Sequence, residues 1–212
     1  MYVPKLYRNE NQDEMIDFIR KHNFGILVTA DTEGRPLATH IPFVVENRNA
    51  KIMLHSHISR ANKQALHFAA EKEVLVVFNA EHAYISSSWY DHVNVPTWNY
   101  VAVHIYGRLS LLNESQTLDH LNALVDQHEQ YEKQPVSVNG MGSELVQMEM
   151  KGLIAFEIRV DEMHSAFKLS QNRDEKNIRN IIAELELRGD ENSMAIAKAI
   201  KKQRGFDYEK AN

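Results

Sequence analysis

The sequence predicts a mainly β fold with added helices (α+β), in which a small antiparallel barrel is followed by C-terminal helices. Three observations favour this fold class. About six segments have strand character, only two helical segments intervene between them, and strands do not alternate regularly with helices as they would around a parallel sheet. The 212 residues, 43% hydrophobic and 25% charged, suffice to bury the core of one such domain.

The N-terminal part of the chain predicts one helix and then three sequential antiparallel strands. In segment 11–21, apolar residues recur at helical spacing behind polar residues that can cap the first turn. Alternating and β-branched residues predict the strands, and polar residues predict the turns between them. The strands are expected at 24–29, 37–45 and 51–56, and the turns at 31–36 and 46–49.

The middle of the chain predicts further strands joined by two helices. An apolar side at helical spacing predicts a helix after Ser59 that crosses between strands, formed by Ala61, Ala65, Leu66, Phe68 and Ala69. A second helix is expected at 114–130, with its apolar side formed by Leu118, Leu121, Leu124 and Val125. Strands are expected at 74–78, 83–85, 98–112 and 153–160, and loops at 86–96 and 131–142. The loop at 86–96 is a candidate site loop.

The C-terminal part predicts two charged helices, at 174–188 and 192–204, on either side of a break at 189–191. We therefore predict a barrel domain over residues 1–170 and a helical extension over residues 171–212 that packs on it.

Composition and charge exclude several classes of function. The absence of cysteine excludes disulfides, thiolate catalysis and every cysteine-ligated zinc or iron–sulfur site. The N-terminal residues lack the features of a secretory signal, and no apolar run has membrane-spanning length, so we expect a cytoplasmic protein without membrane contact. A net charge of −5 provides no global attraction to nucleic acid, so DNA binding would need a local basic surface.

A candidate phosphate site lies in segment 55–63, where a predicted strand ends and a predicted helix begins. Ser59 can cap the helix, the amides that follow would be free donors, and Arg60 and Lys63 would add positive charge. A capped surface helix with two solvated cations is the alternative.

A second cluster concentrates aromatic residues between residues 83 and 104. It contains both tryptophans, Trp89 and Trp98, and three of the eight tyrosines. Aromatic side chains of this density suit a planar ligand or a buried dimer interface, and the sequence does not choose between the two.

Other candidate sites are not favoured by the sequence. The eleven histidines include the pairs His55 with His57 and His92 with His104, but no His-Glu-x-x-His pattern occurs, so we predict no metal site. The serines at 86–88 lack the surroundings of a hydrolase nucleophile. In segment 168–173, either Ser170 or Asn172 is expected to cap the next helix.

Five separated motifs resemble the PaiB family, and the resemblance covers residues 1 to about 182. They are Met1-Tyr2-Val3-Pro4, Ser59-Arg60-Ala61-Asn62, the stretch from His82 to Tyr90, Val95-Pro96-Thr97-Trp98-Asn99-Tyr100, and Phe167-Lys168-Leu169-Ser170-Gln171-Asn172-Arg173. The resemblance implies an FMN-binding negative transcriptional regulator linked to repression of sporulation and of secreted-protease synthesis. It also implies the split β-barrel fold of pyridoxamine-phosphate oxidase, a homodimer, and flavin sites at the subunit interface.

The resemblance further implies which residues contact FMN. Ser59 and Arg60, with Lys63 after an insertion of two residues, resemble the segment that grips the flavin phosphate in split barrels. The ring and ribityl chain are expected against Thr39, His40, Ile41, His55 and Ser56. Trp98 and Asn99 are expected to come from the partner subunit. No residue resembles an obligatory catalytic acid or base, so the sequence leaves open whether the chain is an enzyme.

Two readings of function remain open. A DNA-binding regulator would use the basic residues Lys198, Lys201, Lys202 and Arg204 of the last helix, but acidic residues surround them and solvated side chains are the simpler account. The alternative is a flavin-dependent oxidoreductase, or a haem-handling split barrel with His164 or His92 as axial ligand, without direct DNA binding.

Overall fold

The computed structural model describes residues 1–68 and 72–206, which form seven β-strands and five α-helices. The strands are β1 (Phe24–Ala30), β2 (Pro36–Pro42), β3 (Val44–Arg48), β4 (Lys51–Ser59), β5 (Lys72–Ile85), β6 (Thr97–Leu111) and β7 (Leu153–Lys168). The helices are α1 (Gln12–Lys21), α2 (Glu114–Glu129), α3 (Ser143–Lys151), α4 (Glu175–Arg188) and α5 (Glu191–Arg204). No helix among these residues is long and apolar enough to cross a membrane.

The strands form one sheet in the order β2-β1-β5-β6-β7-β4-β3. β1 pairs antiparallel with β2 and with β5, and β4 pairs antiparallel with β3 and with β7. The register places Leu27 opposite Thr39 and Ser56 opposite Phe156. The predicted fold class, mainly β and antiparallel with C-terminal helices, is confirmed.

Internal contacts divide the chain into two compact units, each assembled from separate segments. The first unit comprises Met1–Asn11, Asn79–Val103 and His164–Asn212, and the second comprises Gln12–Phe78 and His104–Met163. The division predicted at residue 170, between a barrel and a helical extension, stays a prediction.

The core of the second unit follows from the alternation of its strands and the apolar side of α1. Leu27 is fully buried on β1, and α1 buries Met15, Ile16 and Ile19, which share one side of a helix. Phe43 and Phe78 are fully buried, with ring centroids 5.4 Å apart in an edge-to-face arrangement. These contacts anchor the strands that carry the candidate site.

The core of the first unit includes the two C-terminal helices. α4 buries Ile178, Ile181, Ile182 and Leu185, and α5 buries Ile196, Ala197 and Ile200. Gly189 ends α4 in the left-handed region with a φ of 74°, and Asp190 caps α5 by accepting from the Ser193 amide. The predicted helix–break–helix arrangement is confirmed.

The strand predicted at 37–45 is present as far as Pro42, but Phe43 interrupts it and Val44 begins the next strand, β3. Pro42 has no amide hydrogen, and the Phe43 amide donates to the carbonyl of Asn23, 2.9 Å away, while its ring enters the core. The predicted turn at 46–49 is also displaced. Strand β3 continues to Arg48, and the chain turns at Asn49 and Ala50, both with positive φ.

The predicted helix after Ser59 is wrong in type, length and start. Ser59 is the last residue of β4, and the segment that follows is a 3₁₀ turn over Lys63–His67 capped by Asn62. Ala69, which was expected to extend the apolar side of this helix, lies outside the described residues.

Four further differences concern helices, their caps and a merged strand. The loop predicted at 131–142 is followed by α3, which the sequence analysis missed, and the strands predicted at 74–78 and 83–85 are one strand, β5. α2 buries Thr117 and His120 rather than its leucines, and α4 is capped by Asp174 rather than by Ser170 or Asn172.

Candidate functional site

A polar network in the second unit joins β1, β2 and the 3₁₀ turn. The Thr39 hydroxyl donates to Oε1 of Gln64, 2.5 Å away, and accepts from Nδ2 of Asn62 at 2.9 Å. Nε2 of Gln64 donates to the Thr29 hydroxyl at 3.0 Å and to two carbonyls of β1 and β2. Because Gln64 is only 3% exposed and has these partners, the turn is fixed against the sheet.

The turn between Ser59 and Lys63 holds three exposed polar side chains, those of Ser59, Arg60 and Lys63. The Ser59 hydroxyl oxygen accepts from the Ala61 amide at 3.3 Å, and the Ser59 carbonyl accepts from the Asn62 amide at 2.9 Å. Asn62, not Ser59, caps the 3₁₀ turn. The predicted row of free helix-start amides is therefore wrong, because a turn of five residues has neither the length nor the dipole of an α-helix.

Arg60 is held by the segment that leads into β7. Its backbone amide donates to the carbonyl of Gly152 at 2.8 Å, its Nε to that of Lys151 and its Nη2 to that of Leu153, both at 3.0 Å. The carbonyls of Lys151 and Leu153 thus orient the guanidinium, while that of Gly152 holds the backbone, and Nη1 has no part in these bonds. Arg60 was predicted from its motif, but its partners lie more than ninety residues away and leave no signal in the local sequence.

The other predicted flavin contacts of the second unit lie on β2 and β4. His40 is exposed, with its ring 6.4 Å from that of Phe24, and Ile41 is buried. The Ser56 hydroxyl is buried and donates to the carbonyl of Pro42 at 2.6 Å. His55 is also buried.

A cluster of histidines lies beside these strand residues. Nε2 of His55 is 2.9 Å from Oε2 of Glu46, and burial lowers the pKa of His55 although Glu46 opposes this shift. Nδ1 of His57 lies 3.0 Å from Nε2 of His120. Burial, followed by the charges of His57 and His55, lowers the pKa of His120 to about 3. These imidazoles are therefore neutral at physiological pH.

Trp98 and Asn99 lie in the first unit. Nδ2 of Asn99 donates to the Ser170 hydroxyl at 2.9 Å, and both residues are buried. Trp98 is 51% exposed, and its ring centroid lies 5.7 Å from those of His82 and Tyr84. Trp98 can therefore contact a ligand or another chain, whereas Asn99 could do so only if its pair with Ser170 opened.

The structure also places the residues considered for metal or haem. Nδ1 of His92 is 2.9 Å from Oδ1 of Asp91, and Nδ1 of His164 is 3.0 Å from the amino group of Met1. In residues 1–68 and 72–206, no group of three or more His, Asp or Glu side chains is placed to hold a metal ion.

The sequence pattern marks neither Gln64 nor His120 as part of the site. Gln64 follows the recognised Ser59–Asn62 motif, but nothing in its neighbours distinguishes a buried glutamine from an exposed one. His120 lies between Leu118 and Leu121, so its burial depends on how α2 packs and not on the hydrophobic pattern.

Comparisons with known proteins identify the family and support the fold. The family model described as "Putative FMN-binding domain" matches residues 1–162. The chain is 37% identical over 197 residues to the "Protease synthase and sporulation protein PAI 2" of Bacillus subtilis, covering 93% of this chain and 95% of the relative.

Solved structures show the same fold at low sequence identity. The FAD and haem binding protein of Mycobacterium smegmatis superposes with a TM-score of 0.57 at 15% identity, covering 84% of this chain and 80% of that chain. The flavocytochrome Anf3 of Azotobacter vinelandii gives 0.57 at 16% identity, covering 84% and 78%. The expected split β-barrel is confirmed. Since the family model and the Bacillus relative each match most of its length, the chain belongs to the PaiB family of flavin-binding split-barrel proteins.

Proposed function

We propose that this chain binds FMN and acts as a regulator of the PaiB type. The observation that carries the flavin proposal is the turn at 59–63, where the exposed side chains of Ser59, Arg60 and Lys63 adjoin the Thr39–Asn62–Gln64 network. Family membership supplies the identity of the ligand.

The chemistry of this donor set fits a phosphorylated flavin. A phosphate monoester needs cationic and hydroxyl donors, which Lys63, Nη1 of Arg60 and the hydroxyl of Ser59 supply. The uncharged flavin ring needs amide and hydroxyl partners, and the half-buried Asn62 and Thr39 beside the turn carry such groups. FMN, when bound, would supply a ring that can accept electrons, and the chain's own residues would hold and orient it.

We place the phosphate at Lys63 rather than at a helix start. Lys63 is exposed, so its ammonium group can move to a ligand, whereas Nε and Nη2 of Arg60 already donate to the carbonyls of Lys151 and Leu153. In a homodimer, the half-exposed Trp98 of the partner subunit would cover the flavin ring. The exposure of Trp98 supports this role.

The regulatory part of the proposal rests on similarity to the Bacillus relative, whose name refers to protease synthesis and sporulation. The last helix, α5, gives little support for direct DNA binding, because two of its cations are bonded within the chain. Nζ of Lys201 is 2.5 Å from Oε1 of Glu186, and Nη2 of Arg204 donates to the carbonyls of Gln171 and Arg173. We therefore propose that regulation acts through the flavin or a partner and not through a basic face that binds DNA.

The flavin proposal is tested by titrating FMN and riboflavin into wild type and Lys63→Gln while following flavin fluorescence. Loss of one charge-assisted contact should weaken FMN binding by about 1.5–3 kcal/mol, or roughly ten- to a hundredfold, and should leave riboflavin nearly unaffected. Lys133→Gln, which neutralises another exposed lysine of the same unit, is the matched control. Failure of the wild type to bind FMN would refute the cofactor, and equal FMN affinity for Lys63→Gln and wild type would refute the assignment of Lys63.

Adding haemin to separate samples tests the alternative function. An intense new absorption band that shifts on replacement of His92 or His164 would favour the haem-handling alternative. Absence of this absorption band, together with FMN binding, would favour the flavin proposal.

A further inference from the structure

We infer that the second unit contains a separate site for a small amphipathic anion, in a groove between α2, α3 and the start of β7. The groove, called here the α2–α3 groove, consists of two adjoining cavities of about 500 and 580 Å³. Glu114, Gln147 and Met150 line both cavities, so the two are continuous. Each lies within the range of about 300–1,000 Å³ that is typical of small-molecule sites.

One end of the groove is positively charged and rigid. Arg60 and Lys151 both line this end. The guanidinium of Arg60 is fixed by the carbonyls of Lys151 and Leu153, at 3.0 Å each, so it is already oriented before a ligand arrives. Asn113, which caps α2, and Thr117, in its first turn, lie in the same lining. A helix start adds to the positive potential there, which favours an anionic group.

The rest of the groove is apolar. Leu111, Met150 and Ile154 line the first cavity, and Leu118, Val138 and Val146 line the second. Helix α3 buries none of its residues, although it carries four apolar side chains. Leu111 is 53% exposed and Leu118 is 36% exposed. An apolar ligand body would remove this surface from water, which is favourable.

The charges in the lining limit the ligand to a single anionic group. Glu114 lies between Asn113 and Thr117 in sequence and lines both cavities. A second negative charge on the ligand would lie close to this carboxylate and be repelled. The structure therefore indicates a ligand with one carboxylate, sulfonate or phosphoester at the Arg60 end and an apolar body along α3.

This site differs from the proposed flavin site in both residues and chemistry. Neither Thr39 nor Gln64 lines the groove, and Lys63 is absent from it as well. Of the residues named for the proposed flavin site, Arg60 is the one that also lines the α2–α3 groove. The inference does not depend on flavin binding, because it rests on the shape and charge of the groove.

The probe for the test is 8-anilinonaphthalene-1-sulfonate, which joins one sulfonate to an apolar aromatic body and fluoresces when it leaves water. The full chain is titrated at neutral pH as wild type, Met150→Glu and Met148→Glu. Met148 is the matched control, because it lies on the same helix, is 59% exposed and does not line the groove. Circular dichroism and urea unfolding establish that both variants fold.

We expect Met150→Glu to weaken binding of the probe at least tenfold and Met148→Glu to leave it within about twofold of wild type. Decanoate should displace the probe and decanol should not, because only decanoate has the anionic group. Equal affinity of the two variants for the probe would overturn the site. Displacement by decanol as readily as by decanoate would overturn the anionic class of ligand.

Competition with flavin separates this inference from the proposed function. If FMN or riboflavin displaces the probe at concentrations that saturate the flavin site, the groove is part of the flavin site and the inference of a separate site is wrong. If the chain binds the probe as expected but binds no FMN, the proposed function is wrong and the inference of an anion site in the groove is still supported.

Discussion

Nδ1 of His57 and Nε2 of His120 lie 3.0 Å apart, so a hydrogen bond between the two imidazoles joins β4 to α2. A single proton can occupy the bond, and the Nδ1 atom of His120 is buried with no hydrogen-bond partner among the described residues. Protonating either ring would create a positive charge where water is excluded. Burial accordingly lowers the pKa of both histidines, that of His120 to about 3.

The first prediction is that acid destabilises the protein through these histidines. An unfolded histidine binds a proton below about pH 6.5, whereas folded His120 stays neutral until about pH 3. Between these values the unfolded state binds more protons than the folded state. The contribution of His120 to the free energy of unfolding is therefore complete above pH 6.5 and decreases as the pH falls. One such histidine costs about 1.4 kcal/mol at a pH one unit below its unfolded pKa.

Urea unfolding near neutral pH and one unit below the unfolded pKa of histidine measures this effect. His120→Gln should reduce the pH-dependent loss by about 1.4 kcal/mol, since glutamine does not titrate. His128→Gln, at an exposed position of the same helix, should retain the wild-type dependence. An unchanged pH dependence in His120→Gln would contradict the assignment.

The second prediction separates a hydrogen bond from backbone strain at Ser170. Its φ is +60°, a region unfavourable for residues with a Cβ, and its hydroxyl is bonded to buried Asn99. Ser170→Ala keeps the strain and leaves the amide of Asn99 without a partner, so it should destabilise by about 1–3 kcal/mol. Ser170→Gly also loses the bond but relieves the strain, so it should be more stable than Ser170→Ala by about 1 kcal/mol. Urea unfolding of both variants distinguishes these contributions, and equal stabilities would show that the backbone is not strained.

Local patterns in the sequence predicted four of the five α-helices, each with its bounds within one residue or so, because α1, α2, α4 and α5 carry clear caps or apolar spacing. They did not predict α3, which begins after Gly142 and buries none of its residues. Helix α3 has only nine residues, and over so short a span apolar spacing does not distinguish a helix from other structure.

The location of the candidate site was predicted more readily than its geometry. The motif at 59–62 marked the correct turn, yet the orientation of Arg60 depends on carbonyls at 151–153. Similarly, Thr39 was identified on its strand, but Gln64, which fixes it, occurs in a segment that was expected to be an ordinary helix. Such partners come from tertiary contacts, and a single sequence carries no direct signal for them.

The third prediction is that DNA binding does not depend on the last helix. Lys201 is paired with Glu186, and Arg204 is bonded to backbone carbonyls, so these cations are already compensated within the chain. A double-stranded DNA fragment should show weak retention, and neutralising both Lys201 and Lys202 should leave its salt dependence unchanged. If the double variant instead flattens a steep dependence of affinity on salt concentration, these lysines contact phosphates.

The fourth prediction is that the chain forms a homodimer through the aromatic surface around Trp98. Trp98 is 51% exposed and Tyr84 is 40% exposed, with ring centroids 5.7 Å apart, while Val95 nearby along the chain is 70% exposed. Apolar side chains grouped in this way are unfavourable in water and typical of interfaces, where tryptophan and tyrosine contribute most of the binding energy. Light scattering should therefore report about twice 24.5 kDa for the wild type at micromolar concentration.

Replacing Trp98 with serine tests whether this surface is the interface. A central aromatic residue typically contributes about 2–4 kcal/mol, so Trp98→Ser should raise the dimer dissociation constant by roughly thirty- to a thousandfold and give a monomer at the same concentration. Leu187→Ser is the matched control, because Leu187 belongs to the same unit, is 81% exposed and makes no ring contact with Trp98. Its dimer should persist. If the dimer also survives Trp98→Ser, the interface lies elsewhere and the partner's Trp98 does not cover the flavin. If the wild type is a monomer, the proposal of a shared flavin site is wrong. FMN titration of Trp98→Ser then reports whether ring coverage and dimerisation are lost together, as expected when the same side chain provides both.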